Sequence, residues 1–160
     1  MKTRMIPEQE FRRVLGHFAT GVTVVTTIGD DGKSYGLTAT AFTSVSLQPP
    51  LVLVCVDKCA ESHAHFLTSR VFVVNFLACD HEPLSRRFAV SGGEKFTDLA
   101  VRRGMTGAPV LVEALGYLEC KAVEAFEGGD HTIFLGEVEA GDARDGEPLL
   151  HFRGAYRQIQ

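Results

Sequence analysis

The segment 22–56 reads VTVVTTIGDDGKSYGLTATAFTSVSLQPPLVLVCV, and its pattern is that of β-strands returning on themselves. Val22 to Ile28 is dense in β-branched residues, which pack well on a pleated surface and predict a strand. Gly29-Asp30-Asp31-Gly32-Lys33 is a turn cluster. A second strand is predicted from Tyr35 to Ser46, stopping before Pro49-Pro50. Leu51 to Val56 is an unbroken apolar run, the mark of a strand buried on both faces.

Working outward, Pro7 opens a helical pattern in which Phe11, Val14, Leu15 and Phe18 share one face, with Gly21 as its end signal. Downstream, Glu61 to Leu67 predicts a short helix, Val71 to Leu77 a buried strand, and Glu82 to Val90 another helix. Ser91-Gly92-Gly93 is a loop, and 95–109 is irregular with a helical piece around Thr97 to Arg102. Three strands follow, at about Tyr117 to Glu127, Thr132 to Ala140 and Leu149 to Ile159. The first two form a hairpin through Gly128-Gly129-Asp130, whose glycines accept positive φ. Six or seven strands without a βαβ rhythm predict a mainly β fold with short helices, closing as an antiparallel barrel.

The 160 residues suit one domain, 1–160, with enough chain for a hydrophobic core unaided by staples. A net charge of -4 gives no general attraction to nucleic acid. No apolar run has the length of a membrane span, and Met1-Lys2-Thr3-Arg4 lacks a signal-peptide stretch, so a cytoplasmic protein is expected, with neither membrane nor nucleic acid as partner. Cys55, Cys59, Cys79 and Cys120 form no C-x-x-C pair and read as reduced, mostly buried thiols.

Familiar motifs are missing or misleading. There is no G-x-G-x-x-G, hence no support for a Rossmann site. Gly32-Lys33-Ser34 imitates the end of a P-loop, but Thr27 stands where a glycine is needed and a strand pattern follows; it reads as a hairpin turn. His63 and His65, two apart on a helix, point to nearly opposite sides and do not share an ion. No metal site is expected, and no G-x-S-x-G elbow is present.

Three segments carry chemistry. On a continuous strand, Thr38, Thr40, Ser44 and Ser46 fall on one face, while Ala39 and Ala41 leave room for a flat ligand to approach the backbone. The same row also fits a solvated, threonine-rich face. The run ending Cys55-Val56-Asp57-Lys58, followed by Ser62, emerges into a loop whose N–H groups and hydroxyl suit ring carbonyls or a phosphate, and equally a capped short helix. His131 follows a glycine turn and starts a strand, a rim position from which an imidazole can hydrogen-bond or stack on a nicotinamide; a lone histidine is more often structural.

From Phe11-Arg12 to Tyr156 the chain resembles the short-chain flavin reductases, the reductase components of two-component flavin-dependent monooxygenases. The resemblance lies in 19–26 (ATGVTVVT), in Thr38-Ala39-Thr40-Ala41 with its Ser44-Val45-Ser46-Leu47-Gln48-Pro49-Pro50 tail, in Ser85-Arg86-Arg87-Phe88-Ala89, in Lys95-Phe96, and in Gly129-Asp130-His131. Each piece is weak alone; their order and spacing are specific.

This resemblance implies an FMN-binding split β-barrel, usually a homodimer with the flavin near the subunit interface. Thr38, Ala39, Thr40 and Ala41 would line the isoalloxazine, Cys55, Val56 and Asp57 would border the ring and ribityl chain, and Ser62 would approach the phosphate. Arg86, Phe88 and Lys95 would close over the phosphate or adenine end. Asp130, His131 and Tyr156 would bind the nicotinamide, with His131 as the residue nearest to catalysis. Many members carry Asn near the position of Thr40, so backbone contacts are the firmer expectation there. The implied activity is hydride transfer from NAD(P)H to FMN or FAD, with reduced flavin diffusing to a partner monooxygenase. The alternatives are a split-barrel flavoprotein that retains its flavin and reduces another acceptor such as ferric iron, and a non-enzymatic flavin- or haem-binding module.

Overall fold

The computed structural model describes residues 5–160. The chain runs α1 (Glu8–Leu15), β1 (Thr20–Gly21), β2 (Thr23–Ile28), β3 (Ser34–Ala39), β4 (Phe42–Leu47), β5 (Pro50–Asp57), α2 (His63–Ser69), β6 (Val71–Phe76) and α3 (Glu82–Phe88). It continues through β7 (Val101–Arg103), β8 (Pro109–Leu111), β9 (Gly116–Gly128), β10 (His131–Ala143), β11 (Leu150–Phe152) and β12 (Ala155–Arg157). Seven strands form one antiparallel sheet in the order β3-β2-β6-β9-β10-β5-β4; β1-β11-β12 and β7-β8 are small satellites.

The edges of the main sheet, β3 and β4, are neighbours in the chain, separated only by Thr40-Ala41. The sheet must therefore curl until its two edges lie side by side. Two irregularities in the β9–β10 ladder, at Leu135/Gly136 and Val138/Ala140, bend the long ribbon in the way extra residues in one strand do. No edge-to-edge ladder seals the curl; Cys55 N–H donates to the Ala41 carbonyl at 3.0 Å, extending the β4–β5 pairing by one residue into the crossing. The result is a split barrel, as expected.

The barrel interior holds Val25, Val54, Val56, Phe66, Phe72, Val74 and Phe134, with Phe66 of α2 plugging one end. Gly136 is needed there: a Cβ would come within 2.5 Å of the Phe72 ring. A second cluster of Val22, Val24, Leu77, Phe88, Leu111 and Leu149 lies on the opposite face of β2, so that strand is covered on both sides and carries α3 on its back. Asn75 is fully buried between the layers and donates to the Val24 carbonyl (2.9 Å) while accepting from Leu111 N–H (2.9 Å).

Several expectations need correction. The strand from Tyr35 to Ser46 is two strands on opposite edges, so Thr38, Thr40, Ser44 and Ser46 do not form one face. β5 alternates instead of being buried on both faces: Val52, Val54 and Val56 point inward, while Leu53 and Cys55 face a surface that no other described residues cover fully. The helical piece at Thr97 to Arg102 is a turn followed by β7. Leu149 to Ile159 is a hairpin broken by left-handed Arg153 and Gly154 (φ 52° and 75°). The first helix ends at Leu15, well before Gly21, and its apolar residues Phe11, Val14, Leu15 and Phe18 stay exposed. Of the four free thiols only Cys120 is buried, which pushes its pKa up to about 12.

Gly32-Lys33-Ser34 is the turn into β3, with Gly32 at φ 75°. His63 and His65 diverge: His63 Nε2 meets Thr132 Oγ1 at 2.8 Å, and His65 stacks on Tyr35. In the β9–β10 turn Gly129 alone takes positive φ (74°); Gly128 is instead pressed by Ile133.

Gly136→Ala is expected to destabilise the fold by about 1–3 kcal/mol, because the added methyl displaces Phe72 from a filled interior. Urea denaturation monitored by circular dichroism checks this.

Candidate active site

The seam between β3 and β5 opens into a cleft of about 430 Å³. Its walls come from five places: the end of β3, the Thr40-Ala41 crossing, the end of β5 with the loop after it, the region following α3, and the start of β10. Thr38, Ala39, Thr40, Ala41, Cys55, Asp57, Ser62, Phe88, Lys95 and His131 all line it, although they are spread over more than ninety positions.

Each wall has a local cause. The Asp57 carboxylate accepts Cys59 N–H (2.8 Å) and its carbonyl accepts Ala60 N–H (3.0 Å), a side-chain-assisted turn that ends β5 and delivers Ser62 to the start of α2. That turn is tied to the β9–β10 hairpin by Lys58 N–H donating to the Asp130 carbonyl (3.0 Å) and by a Lys58–Glu127 ion pair. Lys58 thereby holds the Glu127 carboxyl below the usual carboxylate range. His131 pairs across the ladder with Asp57, so hairpin and loop fix one another. On the far wall, Thr38 Oγ1 donates to the Ser85 carbonyl (2.6 Å), fastening α3 to β3. The Glu61 carboxylate accepts Gly92 N–H at 2.9 Å and holds the loop that carries Lys95.

Several polar groups in the cleft lack intrachain partners. Among the described residues, the N–H groups of Thr40 and Ala41 donate to nothing, because both lie where the chain leaves one sheet edge and has not joined the other. Ser62 is 4% exposed, and its hydroxyl has no hydrogen-bond partner among the described residues. Thr40 and Ala41 are exposed, so their N–H groups are free to meet a ligand that supplies acceptors. Ala39 and Ala41 keep the wall thin, Phe88 backs it edge-on to Phe96 (centroids 5.1 Å apart), and Lys95 adds a cation. These features fit a flat heteroaromatic ring with carbonyl acceptors and an anionic tail, the form of a flavin nucleotide.

Four expected residues sit elsewhere. The Val56 side chain is buried in the barrel, on the opposite side of β5 from Cys55 and Asp57. Arg86 pairs with Glu82 (2.7 Å) and lies over the Tyr156 ring, 4.9 Å from its centroid, away from the cleft. The Tyr156 hydroxyl bonds to Ser85 Oγ (2.8 Å), so the ring packs behind α3. Asp130 is exposed and reaches the site only through His131 Nδ1 (2.7 Å). Conversely, Cys59, Glu61 and the stretch Ala89-Val90-Ser91 line the cleft unforeseen. Their positions just after a strand and a helix were the available signal, because element ends are where backbone groups stay free.

A split barrel with a polar slot at its seam is the architecture of a flavin-handling redox domain. The chain matches the flavin reductase like domain over residues 15–160, and it belongs to that family. It is 44% identical over 151 residues to the reductase component of a 4-nitrophenol 4-monooxygenase/4-nitrocatechol 2-monooxygenase from Rhodococcus opacus, covering 94% of this chain and 80% of that one. It is 41% identical over 148 residues to the FMN reductase (NADH) SmoA of Agrobacterium fabrum, covering 92% and 84%. Among solved structures, the NADH:FAD oxidoreductase SgcE6 of Streptomyces globisporus C-1027, in complex with NAD and FAD fragments, superposes with a TM-score of 0.90 at 39% identity, covering 99% and 98%.

The contact with His131 holds the Asp130 carboxyl below the usual aspartate range, first by hydrogen bonding and then by charge. A lowered folded-state pKa means the contact stabilises the fold above the unfolded aspartate pKa and is lost as pH falls through the folded one. Carboxyl-carbon NMR titration is expected to place Asp130 below free aspartate in the native chain and to return it to the ordinary range in His131→Ala.

Proposed function

We propose that the protein is an NAD(P)H:flavin oxidoreductase that reduces FMN or FAD in the seam cleft and releases the reduced flavin to a partner monooxygenase in the cytoplasm. The observation that carries this is the convergence, in one slot, of two free N–H groups, the Ser62 hydroxyl and His131. No described helix is long and apolar enough to cross a membrane. The names of the relatives supply the chemistry: one is a monooxygenase reductase component, one an NADH-linked FMN reductase, and one an NADH:FAD oxidoreductase.

The flavin, when bound, accepts the nicotinamide hydride and carries the electrons onward. The work of this chain is positional. Thr40 and Ala41 N–H groups donate to ring carbonyl oxygens at fixed points and so stabilise added negative charge without reorganising. Ser62 and Lys95 receive the phosphate end. Small side chains at 39 and 41 leave a ring face open for a second flat ring, and holding two rings together removes much of the entropic barrier. His131, held by Asp130 through Nδ1, stands at the rim with Nε2 free to hydrogen-bond the carboxamide of NAD(P)H. No side chain needs to act as a nucleophile.

The reading includes a homodimer. An uncovered apolar groove of about 790 Å³, lined by Leu15, Phe18, Phe42, Leu53, Phe76 and Leu115 among others, shares Thr40, Ala41 and Cys55 with the cleft. A second copy seated there would cover the open face of α1 and β5 and shield the cleft from behind. Sedimentation equilibrium is expected to give twice the chain mass, and Leu53→Asp to give a monomer with weakened flavin binding; a monomeric parent protein would contradict this.

The direct test is NADH and NADPH oxidation with FMN, FAD or riboflavin added in turn. Turnover that depends on added flavin is expected; a yellow protein inert to every pair would point to a tight flavoprotein with another acceptor. His131→Ala is expected to raise KM for the reduced nicotinamide roughly tenfold, the scale of one lost hydrogen bond, and to leave the flavin Kd nearly unchanged.

A further inference from the structure

The charge of the cleft is poorly matched to a phosphorylated guest. A phosphate monoester carries about −2 at neutral pH, yet the cleft lining sets two carboxylates, Asp57 and Glu61, against one lysine, Lys95. Arginine is the side chain best shaped to grip a phosphate, and among the described residues none lines the cleft. Arg86 is turned away onto Glu82 and the Tyr156 ring.

The two carboxylates differ in place. Asp57 ends β5, and its carboxylate accepts Cys59 N–H (2.8 Å) inside the turn that follows. Glu61 directly precedes Ser62, and Glu61, Ser62 and Lys95 all line both the cleft and a groove that continues from it. The negative charge of Glu61 therefore stands beside the two side chains that would receive the phosphate. Its hydrogen bond comes from Gly92 N–H (2.9 Å), a neutral donor that leaves this charge in place. Gly92 and Gly93 are both left-handed (φ 78° and 79°) in the loop that brings Lys95 to the cleft, so the bond latches that loop. A neutral acceptor at position 61 would latch it equally well. The carboxylate adds something a latch does not need: repulsion of an incoming anion.

Resting on the reading of the cleft as a flavin site, we propose that Glu61 sets how loosely the flavin is held, its charge opposing the flavin phosphate at Ser62 and Lys95. The phosphate end is the same in oxidised and reduced flavin, so the repulsion acts on product as well as substrate. An enzyme whose product must leave after each hydride transfer gains turnover from such an element, because release is a common limit on kcat.

Glu61→Gln separates the two roles, since the amide oxygen still accepts from Gly92 N–H while the charge is gone. Binding of FMN and of riboflavin, which has no phosphate, is read by quenching of flavin fluorescence at low and high salt. Glu61 is exposed, so a screened effect is expected: Glu61→Gln tightens FMN by roughly three- to tenfold at low ionic strength and by less than about twofold near about 1 M salt. Riboflavin affinity is expected to stay unchanged, and stopped-flow dissociation of FMN to slow by the same factor as its Kd. Glu94→Gln is the control, a carboxylate of the outer groove that does not line the cleft; its effect on FMN is expected to be smaller than that of Glu61→Gln. FMN binding unchanged or weakened in Glu61→Gln would overturn the proposal. So would equal tightening of FMN and riboflavin, or a gain insensitive to salt, either of which would assign Glu61 to loop packing alone. Failure of the parent protein to bind either flavin would instead defeat the flavin reading of the cleft.

Discussion

The structure turns on a two-residue crossing. Thr40-Ala41 leaves β3, the last strand on one edge of a seven-stranded sheet, and enters β4, the last on the other. So short a connection forces the edges together, and the twist of the sheet prevents them from zipping into a ladder. The exposed N–H groups of Thr40 and Ala41 are therefore left without partners among the described residues and are available to a ligand that supplies acceptors. The site is a consequence of how the barrel fails to close.

Other features serve to keep that seam in shape. Gly136 lets the Phe72 ring fill the interior where the sheet bends most. Thr38 ties α3 to one lip, and the Lys58 contacts tie the β5 loop to the hairpin that presents His131 on the other. Individually these are modest surface interactions, and the exposed ion pair contributes little to stability. Their value is in geometry: hydride transfer between flat rings depends on the separation of the walls, and each tie fixes one wall. The apolar groove behind Thr40 and Cys55 extends the same logic, because the back of the slot is bounded by a surface that the described residues leave open.

Much of this was legible in the sequence, and the failures share causes. β2, β6 and the β9–β10 hairpin were readable because β-branched runs and a glycine turn are local signals. The break at Thr40-Ala41 was not, since the alternation of threonine and alanine runs unchanged through a point where the chain changes edges; only the long-range pairing to β2 and β5 marks it. β7 and β8 are three residues each and held by tertiary contacts, beyond the reach of periodicity. Val56 is the instructive residue. Period two places its side chain opposite those of Cys55 and Asp57, inside the barrel, and leaves its backbone as the part nearest the cleft. Arg86 and Tyr156 stand outside the cleft lining for a different reason: each has a nearer partner, in Glu82 and in Ser85, that a single sequence does not reveal.

The central claim is that the unpaired backbone at the seam receives the flavin ring. Titrating FMN into isotopically labelled protein and following backbone amide shifts tests it most directly. The account predicts that the largest changes fall on Thr40, Ala41, Ser62 and His131, with those of Tyr156 and Arg86 small. Shifts centred behind α3, around Tyr156 and Arg86, with Thr40 and Ala41 unmoved, would contradict it.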